Sequence, residues 1–215
     1  MDDFVGKSVT SLYNQPQNTE LSPMPPLILA SSSPYRKQLL QRLALSFSCI
    51  SPDIDETPYP QENAQQLVLR LAQQKAQTIA NGGHQGLIIA SDQVATLNGN
   101  ILGKPGNHAN ACRQLQQCSG QAVTFYTSLH LLNSLSAESQ QCVETYTVYF
   151  RELNAAQIER YLIKEQPYQC AGSFKVEGLG ICLFEKLQGD DPNSLIGLPL
   201  IQLISMLANE GIPIP

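Results

Sequence analysis

The sequence predicts an α/β fold: a mixed parallel/antiparallel sheet with flanking helices. Two patterns point to the mixed sheet. The first half alternates short apolar runs with stretches of helical periodicity, as strand-loop-helix units do, whereas the second half is dominated by period-two alternation of the kind found in antiparallel meanders. A third observation sets the scale. At 215 residues and 42% hydrophobic content the chain can bury a substantial core, so disorder of the whole chain is excluded.

Taken in order, residues 1–25 read as a flexible N-terminal leader, polar apart from a few residues and ending in Pro23, Pro25 and Pro26, which cannot continue a helix. The folded domain is expected over 26–215. Leu27-Ile28-Leu29-Ala30 reads as a short buried strand, and Ser33-Pro34 as the N-cap and first turn of a helix that turns Leu39, Leu40 and Leu43 inward. A proline- and acid-rich loop over 52–60 leads to a helix over 62–80 with Leu67, Val68, Leu71, Ala72, Ala76 and Ile79 on one stripe. Lys75 falls on that stripe. Leu87-Ile88-Ile89-Ala90 reads as a second buried strand ending in Ser91-Asp92-Gln93, and Asn98-Gly99-Asn100 as a hairpin turn. Asn107 caps a helix through Leu115 that Gly120 closes.

Strands are expected over 123–126, 128–132 and 143–150. Asn154 and Gln157 form a capping box for a helix with Ile158, Tyr161 and Leu162 inward. A glycine-rich run over 172–180, a strand over 181–184 and a last helix from Pro199 to about Asn209, stopped by Gly211, complete the chain.

Charge and composition exclude several functions. Thirteen Lys and Arg against eighteen Asp and Glu give a net charge of -5, so no general field exists to hold nucleic acid. No apolar run approaches the roughly 20 residues of a membrane helix, and the N-terminus lacks a basic start followed by an apolar stretch. A cytoplasmic protein without nucleic-acid or membrane partners is expected. The six cysteines form no CxxC pair and read as reduced packing residues, and His84, His108 and His130 read as clustering neither with them nor with one another.

The chemistry is expected where the strands end. The Ser31-Ser32-Ser33 loop runs into a helix N-terminus, whose free N–H groups and dipole favour an anion, with Arg36 in the first turn. Lys75, Lys104 in Gly103-Lys104-Pro105 and Lys175 in the glycine-rich run add cations from three other segments, as a long phosphate chain requires. Asp92, placed by an apolar strand, suits a general base or metal ligand. Glu56 is its candidate partner, because a hard cation such as Mg2+ needs only one or two carboxylates plus phosphate oxygens.

These residues resemble a known family. Ser31-Ser32-Ser33-Pro34-Tyr35-Arg36, Asp55-Glu56-Thr57, Leu71-Ala72-Gln73-Gln74-Lys75-Ala76, Ser91-Asp92-Gln93, Gly103-Lys104-Pro105, Gly172-Ser173-Phe174-Lys175-Val176-Glu177-Gly178 and Leu195-Ile196-Gly197-Leu198-Pro199-Leu200 follow the order of the Maf nucleotide pyrophosphatases. The resemblance covers Leu27 to the C-terminus. It implies an inosine triphosphatase-like two-lobed fold around a central cleft and a house-cleaning hydrolase that cuts a modified nucleoside triphosphate into monophosphate and pyrophosphate. It implies a divalent metal, Mg2+, Mn2+ or Co2+, at Glu56 and Asp92, with Asp92 as the proton acceptor. Ser31, Ser32, Arg36, Lys75, Lys104 and Lys175 are then the phosphate-binding set.

Three positions depart from the commoner Maf pattern of dTTP- and UTP-cleaving members: Tyr35 replaces Arg, Gln93 replaces Thr and Glu177 replaces Gln. All three resemble the subfamily that prefers 7-methyl-GTP. The chemistry of that base agrees: N7 methylation leaves a delocalised positive charge that suits the Tyr35 ring, and Glu177 can accept from N1–H and the 2-amino group together. Gln93 is then the contact for a remaining base or sugar group. The alternatives are dTTP or UTP as substrate, a noncatalytic nucleotide-binding regulator of growth or division, and an aspartyl-phosphate phosphatase, which the lack of an Asp-x-Asp at Asp92 disfavours. The partner expected throughout is a small-molecule nucleotide, and a homodimer is admitted.

Overall fold

The structure is a computed structural model that describes residues 24–214. The leader expected over 1–25 lies outside the described residues except for its last two positions.

Seven strands among the described residues form one mixed sheet in the order β2-β1-β3-β5-β6-β7, with β4 paired to β3 alone. β1 (Leu27–Leu29) carries an apolar run buried on both faces, as a parallel strand must be, and it is flanked by β2 (Ser48–Cys49) and β3 (Leu87–Leu97), both parallel to it. α1 (Pro34–Gln41) follows β1; Ser33 Oγ caps it by accepting from Arg36 N. α2 (Ala64–Asn81) is opened by a capping box between Asn63 and Gln66, so it begins two residues later than the periodicity predicts.

β3 is the main correction to the sequence reading. It does not end at Ser91-Asp92-Gln93 but runs for eleven residues, because antiparallel pairing with β5 (Ala122–Asn133) continues from Leu87↔Asn133 to Leu97↔Val123. β5 is likewise one strand where two are expected. Thr127, left between the two expected strands, is buried and donates Oγ1–H to Ser194 O at 2.8 Å, and its neighbour Ser128 donates Oγ–H to Val68 O at 2.6 Å. β3 then turns through Asn98 and Gly99, both at positive φ, into β4 (Asn100–Leu102), the predicted hairpin.

α3 (His108–Cys118) is capped by Asn107, and β6 (Ser139–Phe150) completes the meander with β5 and β7 (Phe184–Gln188). α4 (Ala155–Glu165) carries the predicted capping box of Asn154 and Gln157. The expected strand over 181–184 is instead a 3₁₀ turn, Leu179–Leu183, with Ile181 56% exposed, so β7 starts only at Phe184. Two short helices close the chain, α5 (Pro192–Ile196), which periodicity does not reveal, and α6 (Leu200–Asn209). Asp191 ties them together: it accepts from Asn193 N at 2.8 Å and from Ile201 N at 2.9 Å.

The pleat divides the core. Ile28, Ala30, Ile88 and Ala90 face α2 through Ala72, Ala76 and Ile79, while Leu27, Leu29, Leu87 and Ile89 face α1 and α6 through Leu39, Leu40, Leu203 and Leu207. A separate cluster packs α3 and α4 against β5, β6 and β7 around edge-to-face Phe125, Phe150, Phe174 and Phe184. The cleft lies between these lobes, where β1 ends and β3 goes on paired with β5 but no longer with β1.

Two of the six free cysteines, Cys49 and Cys182, are exposed, so the expectation that all six are packing residues fails for these. None of the helices among the described residues is long and apolar enough to cross a membrane.

Candidate functional site

A cleft of about 600 Å³ opens beside β3, a volume in the range of small-molecule sites. Every site residue predicted from the sequence lines it: Ser31, Ser32, Tyr35, Arg36, Glu56, Lys75, Asp92, Gln93, Lys104, Lys175 and Glu177. They reach it for identifiable reasons. Two-residue alternation along β3 puts Asp92 on the α2 side with Ile88 and Ala90, and puts Ser91 and Gln93 on the opposite side, toward α5 and α6.

On the α2 side, Lys75 extends from the apolar stripe and its ammonium meets two carboxylates, Asp92 Oδ1 at 2.5 Å and Glu56 Oε1 at 2.7 Å. Lys75 and Asp92 are each 7% exposed, whereas the Glu56 side chain is 53% exposed and looks into the cleft. Burial works to raise the Glu56 carboxyl, but the hydrogen bond and charge of Lys75, with Lys104 and Arg36 beyond, outweigh it and hold the group below its ordinary value. The sequence pattern did not reveal what fixes the Glu56 loop. Arg70 does so, with Nε and Nη2 on the Glu62 carboxylate at 2.6 and 2.7 Å, Nη2 on Thr57 O at 3.0 Å and the guanidinium 3.9 Å over the Tyr59 ring.

On the other side, backbone carbonyls of the closing segment act as anchors. Gly197 O accepts from both Arg36 Nε (2.8 Å) and Ser91 Oγ (2.9 Å), which aims the rest of the guanidinium past Gly197. Burial pulls the Arg36 pKa down, and the charges of Asp92 and Glu56 oppose that pull. Gln93 Nε2 is fully engaged, donating to Thr127 Oγ1, Ser194 O and Leu195 O at 2.9, 2.8 and 3.1 Å. Its remaining amide oxygen can only accept a hydrogen bond.

At the far end, Tyr35 lies beside Cys170, Lys175 and Glu177. Its phenol is pushed up, first by burial and then by the neighbouring Cys170, with Glu177 adding to the effect and Lys175 opposing it. Lys175 Nζ rests 3.3 Å from Glu165 O and 3.5 Å from Glu165 Oε1, so it is a tethered cation at the rim. Ser31 Oγ accepts from Ser33 N at 3.1 Å and shapes the loop ahead of α1, while Ser32 is exposed at the cleft.

The family described as Maf-like protein matches residues 26–210. The chain belongs to the Maf family. Three curated relatives are similar over nearly their whole length. They come from Vibrio vulnificus (56% identical, 87% of this chain and 96% of the relative), Nitrosococcus oceani (56%, 90% and 98%) and Methylobacillus flagellatus (58%, 89% and 100%). Each carries the name 7-methyl-GTP pyrophosphatase. A solved structure of the Staphylococcus aureus Ham1 protein shares the fold, with a TM-score of 0.52 and 14% identity over 86% of this chain and 98% of that one.

Proposed function

We propose that the protein is a nucleoside triphosphate pyrophosphatase that hydrolyses 7-methyl-GTP to 7-methyl-GMP and pyrophosphate. The observation that carries the reading is the meeting of Asp92 and Glu56 on Lys75, inside a cleft that Arg36, Lys104 and Lys175 enter from separate segments. Cations spread along a cleft suit a triphosphate chain better than a single phosphate. The names of three relatives at 56–58% identity support the choice of base.

The donor set fits a hard divalent cation, since two carboxylates near enough to share one cation, here the Lys75 ammonium, supply what Mg2+ or Mn2+ takes from a protein when phosphate oxygens complete its shell. Glu56 and Asp92 would hold it, and when bound it supplies charge neutralisation at the phosphates. The chain's own groups do the rest. Arg36, Lys75, Lys104 and Lys175, with the Ser31-Ser32 loop, orient the phosphates. Asp92 takes the proton of a water whose oxygen bonds to the α-phosphorus as the α–β bridge breaks and pyrophosphate leaves.

Base selection follows from the rim. The Tyr35 ring offers its face to the cationic 7-methylguanine, Glu177 accepts from N1–H and the 2-amino group, and Gln93 Oε1 accepts one further donor of base or sugar. An unmethylated guanine keeps the hydrogen bonds and loses roughly 0.5–2 kcal/mol of cation-aromatic attraction, which gives preference without exclusion.

The test is a panel of 7-methyl-GTP, GTP, dTTP and UTP with Mg2+ or Mn2+, reading pyrophosphate against orthophosphate. Pyrophosphate as one product, fastest from 7-methyl-GTP, is expected; diphosphate nucleoside with orthophosphate overturns the reading. The combined substitutions Tyr35→Arg, Gln93→Thr and Glu177→Gln are expected to move activity toward dTTP or UTP. A folded triple variant with an unchanged ranking would refute this account of the base site.

A further inference from the structure

On the lobe away from the cleft, α3 and α4 bring together three side chains of metal-ligating type. His108 and Cys112 stand four residues apart on one face of α3, and Glu159 faces them from α4. One ligand atom from each lies within 4.8 Å of the other two. His108 Nε2 is 3.0 Å from Glu159 Oε2, and Cys112 Sγ is 3.8 Å from the same oxygen. The grouping corrects the expectation that no histidine clusters with a cysteine: the four-residue spacing is visible in the sequence, but only helix packing through Ala111, Leu115, Ile158 and Leu162 brings Glu159 to it.

We infer that His108, Cys112 and Glu159 form a Zn2+ site with a fourth position open to water. The donor chemistry is mixed nitrogen, sulfur and oxygen, which Zn2+ accepts and Mg2+ does not favour. A tetrahedral Zn2+ site sets its ligand atoms about 3.3–3.8 Å apart. The 3.8 Å between Sγ and Oε2 already meets that need, the 3.0 Å between Nε2 and Oε2 is a few tenths of an ångström short of it, and small rotations of these partly or largely exposed side chains adjust it and the third separation. The outer support is present as well. Tyr168 Oη lies 3.0 Å from His108 Nδ1, and with Nδ1–H donating to it the Nε2 lone pair is free for the metal. The Cys112 thiol, which donates to Glu159 in the metal-free state, releases its proton on binding.

The site does not depend on the proposed catalytic reading, since none of its three ligands lines the cleft. Its test uses the full chain, stripped by chelator and titrated with Co2+, then with Zn2+. A cobalt-thiolate charge-transfer band that Zn2+ abolishes is expected in the wild type, with the band absent in Cys112→Ser. Tyr168→Phe is expected to weaken Zn2+ binding by about tenfold while keeping the band. Absence of the band in the wild type overturns the proposal, and so does a band that persists in Cys112→Ser, which would assign it to another thiol such as Cys170 in the cleft. Should Cys112→Ser fail to fold, His108→Gln supplies the same comparison: Zn2+ affinity falls at least about tenfold, and an unchanged affinity refutes the site.

Discussion

Replacing Asp92 by Asn lowers turnover on the preferred nucleotide by at least about 10²-fold and leaves the protein folded. The two halves of this expectation have separate causes. Asn is isosteric, and the Asp92 backbone is fixed by β5 twice over, through strand pairing with Ser128 and through Ser128 Oγ, 3.1 Å from Asp92 N. Its amide oxygen can still accept from Lys75, and Lys75 keeps Glu56 at 2.7 Å, so the ammonium is not left unpaired. The stability loss is therefore about 1 kcal/mol, the scale of one hydrogen bond weakened and not abolished. Catalysis loses more, because an amide neither accepts a proton nor binds a hard cation well. The fall is expected in kcat at saturating nucleotide, while on the proposed reading KM changes less, since Arg36, Lys104 and Lys175 would still hold the phosphates. Turnover near the wild-type value would remove Asp92 from both roles, and a large drop in melting temperature would mark it as a structural residue.

The legibility of this fold varied with how local each signal is. Three helix starts were readable because a capping side chain acts within three residues: Ser33, Asn107 and Asn154 each accept from the backbone as their positions suggest, whereas for α2 the periodicity points to a start at Glu62, ahead of its cap, Asn63. Strand lengths were not, since they depend on a partner elsewhere. Ser91-Asp92-Gln93 reads as a strand end because its residues are polar, yet β5 supplies pairing, and Gly197, Lys75 and Thr127 with the Ser194 carbonyl satisfy the three side chains. The candidate site survived that error because the crevice is made by β1 stopping, not by β3 stopping. Arg70 escaped notice for a similar reason: nothing near it in sequence shows that it clasps Glu62, eight residues earlier, together with the Thr57 carbonyl. Backbone carbonyls of 194–197 could not be assigned from residue types, since any side chain leaves the carbonyl in place. Their role as anchors for Arg36, Ser91 and Gln93 depends on α5, which is too short for periodicity to show.

Replacing Lys75 by Met has the opposite balance, a large cost in stability as well as in activity. The unbranched side chain keeps the stem packed on the α2 stripe, so the change removes chiefly the charge. Asp92 and Glu56 are then two carboxylates facing one another with no ammonium between them. Breaking a fully buried pair costs about 3–5 kcal/mol; here about 2–3 kcal/mol is expected, because the Glu56 side chain is 53% exposed and water screens it. The cost depends on pH in a defined direction. In the wild type the Glu56 carboxyl is held below its ordinary value of 4.5, against burial, by Lys75 first and then by Lys104 and Arg36. A depressed carboxyl contributes stability that is fully present above about pH 4.5 and is lost as pH falls through the folded-state value. Without Lys75 most of that contribution is gone at neutral pH, and protonation relieves the remaining repulsion. The stability gap between wild type and Lys75→Met is therefore widest near about pH 7 and narrows toward about pH 4, as urea unfolding at the two values would show. A gap that does not change with pH would mean that the loss comes from packing. Adding Asp92→Asn to Lys75→Met removes one of the two facing charges, so the double variant is expected to be more stable than Lys75→Met alone, although each single change destabilises the wild type. Simple additivity of the two costs would show that Lys75 and Asp92 do not act as one electrostatic unit.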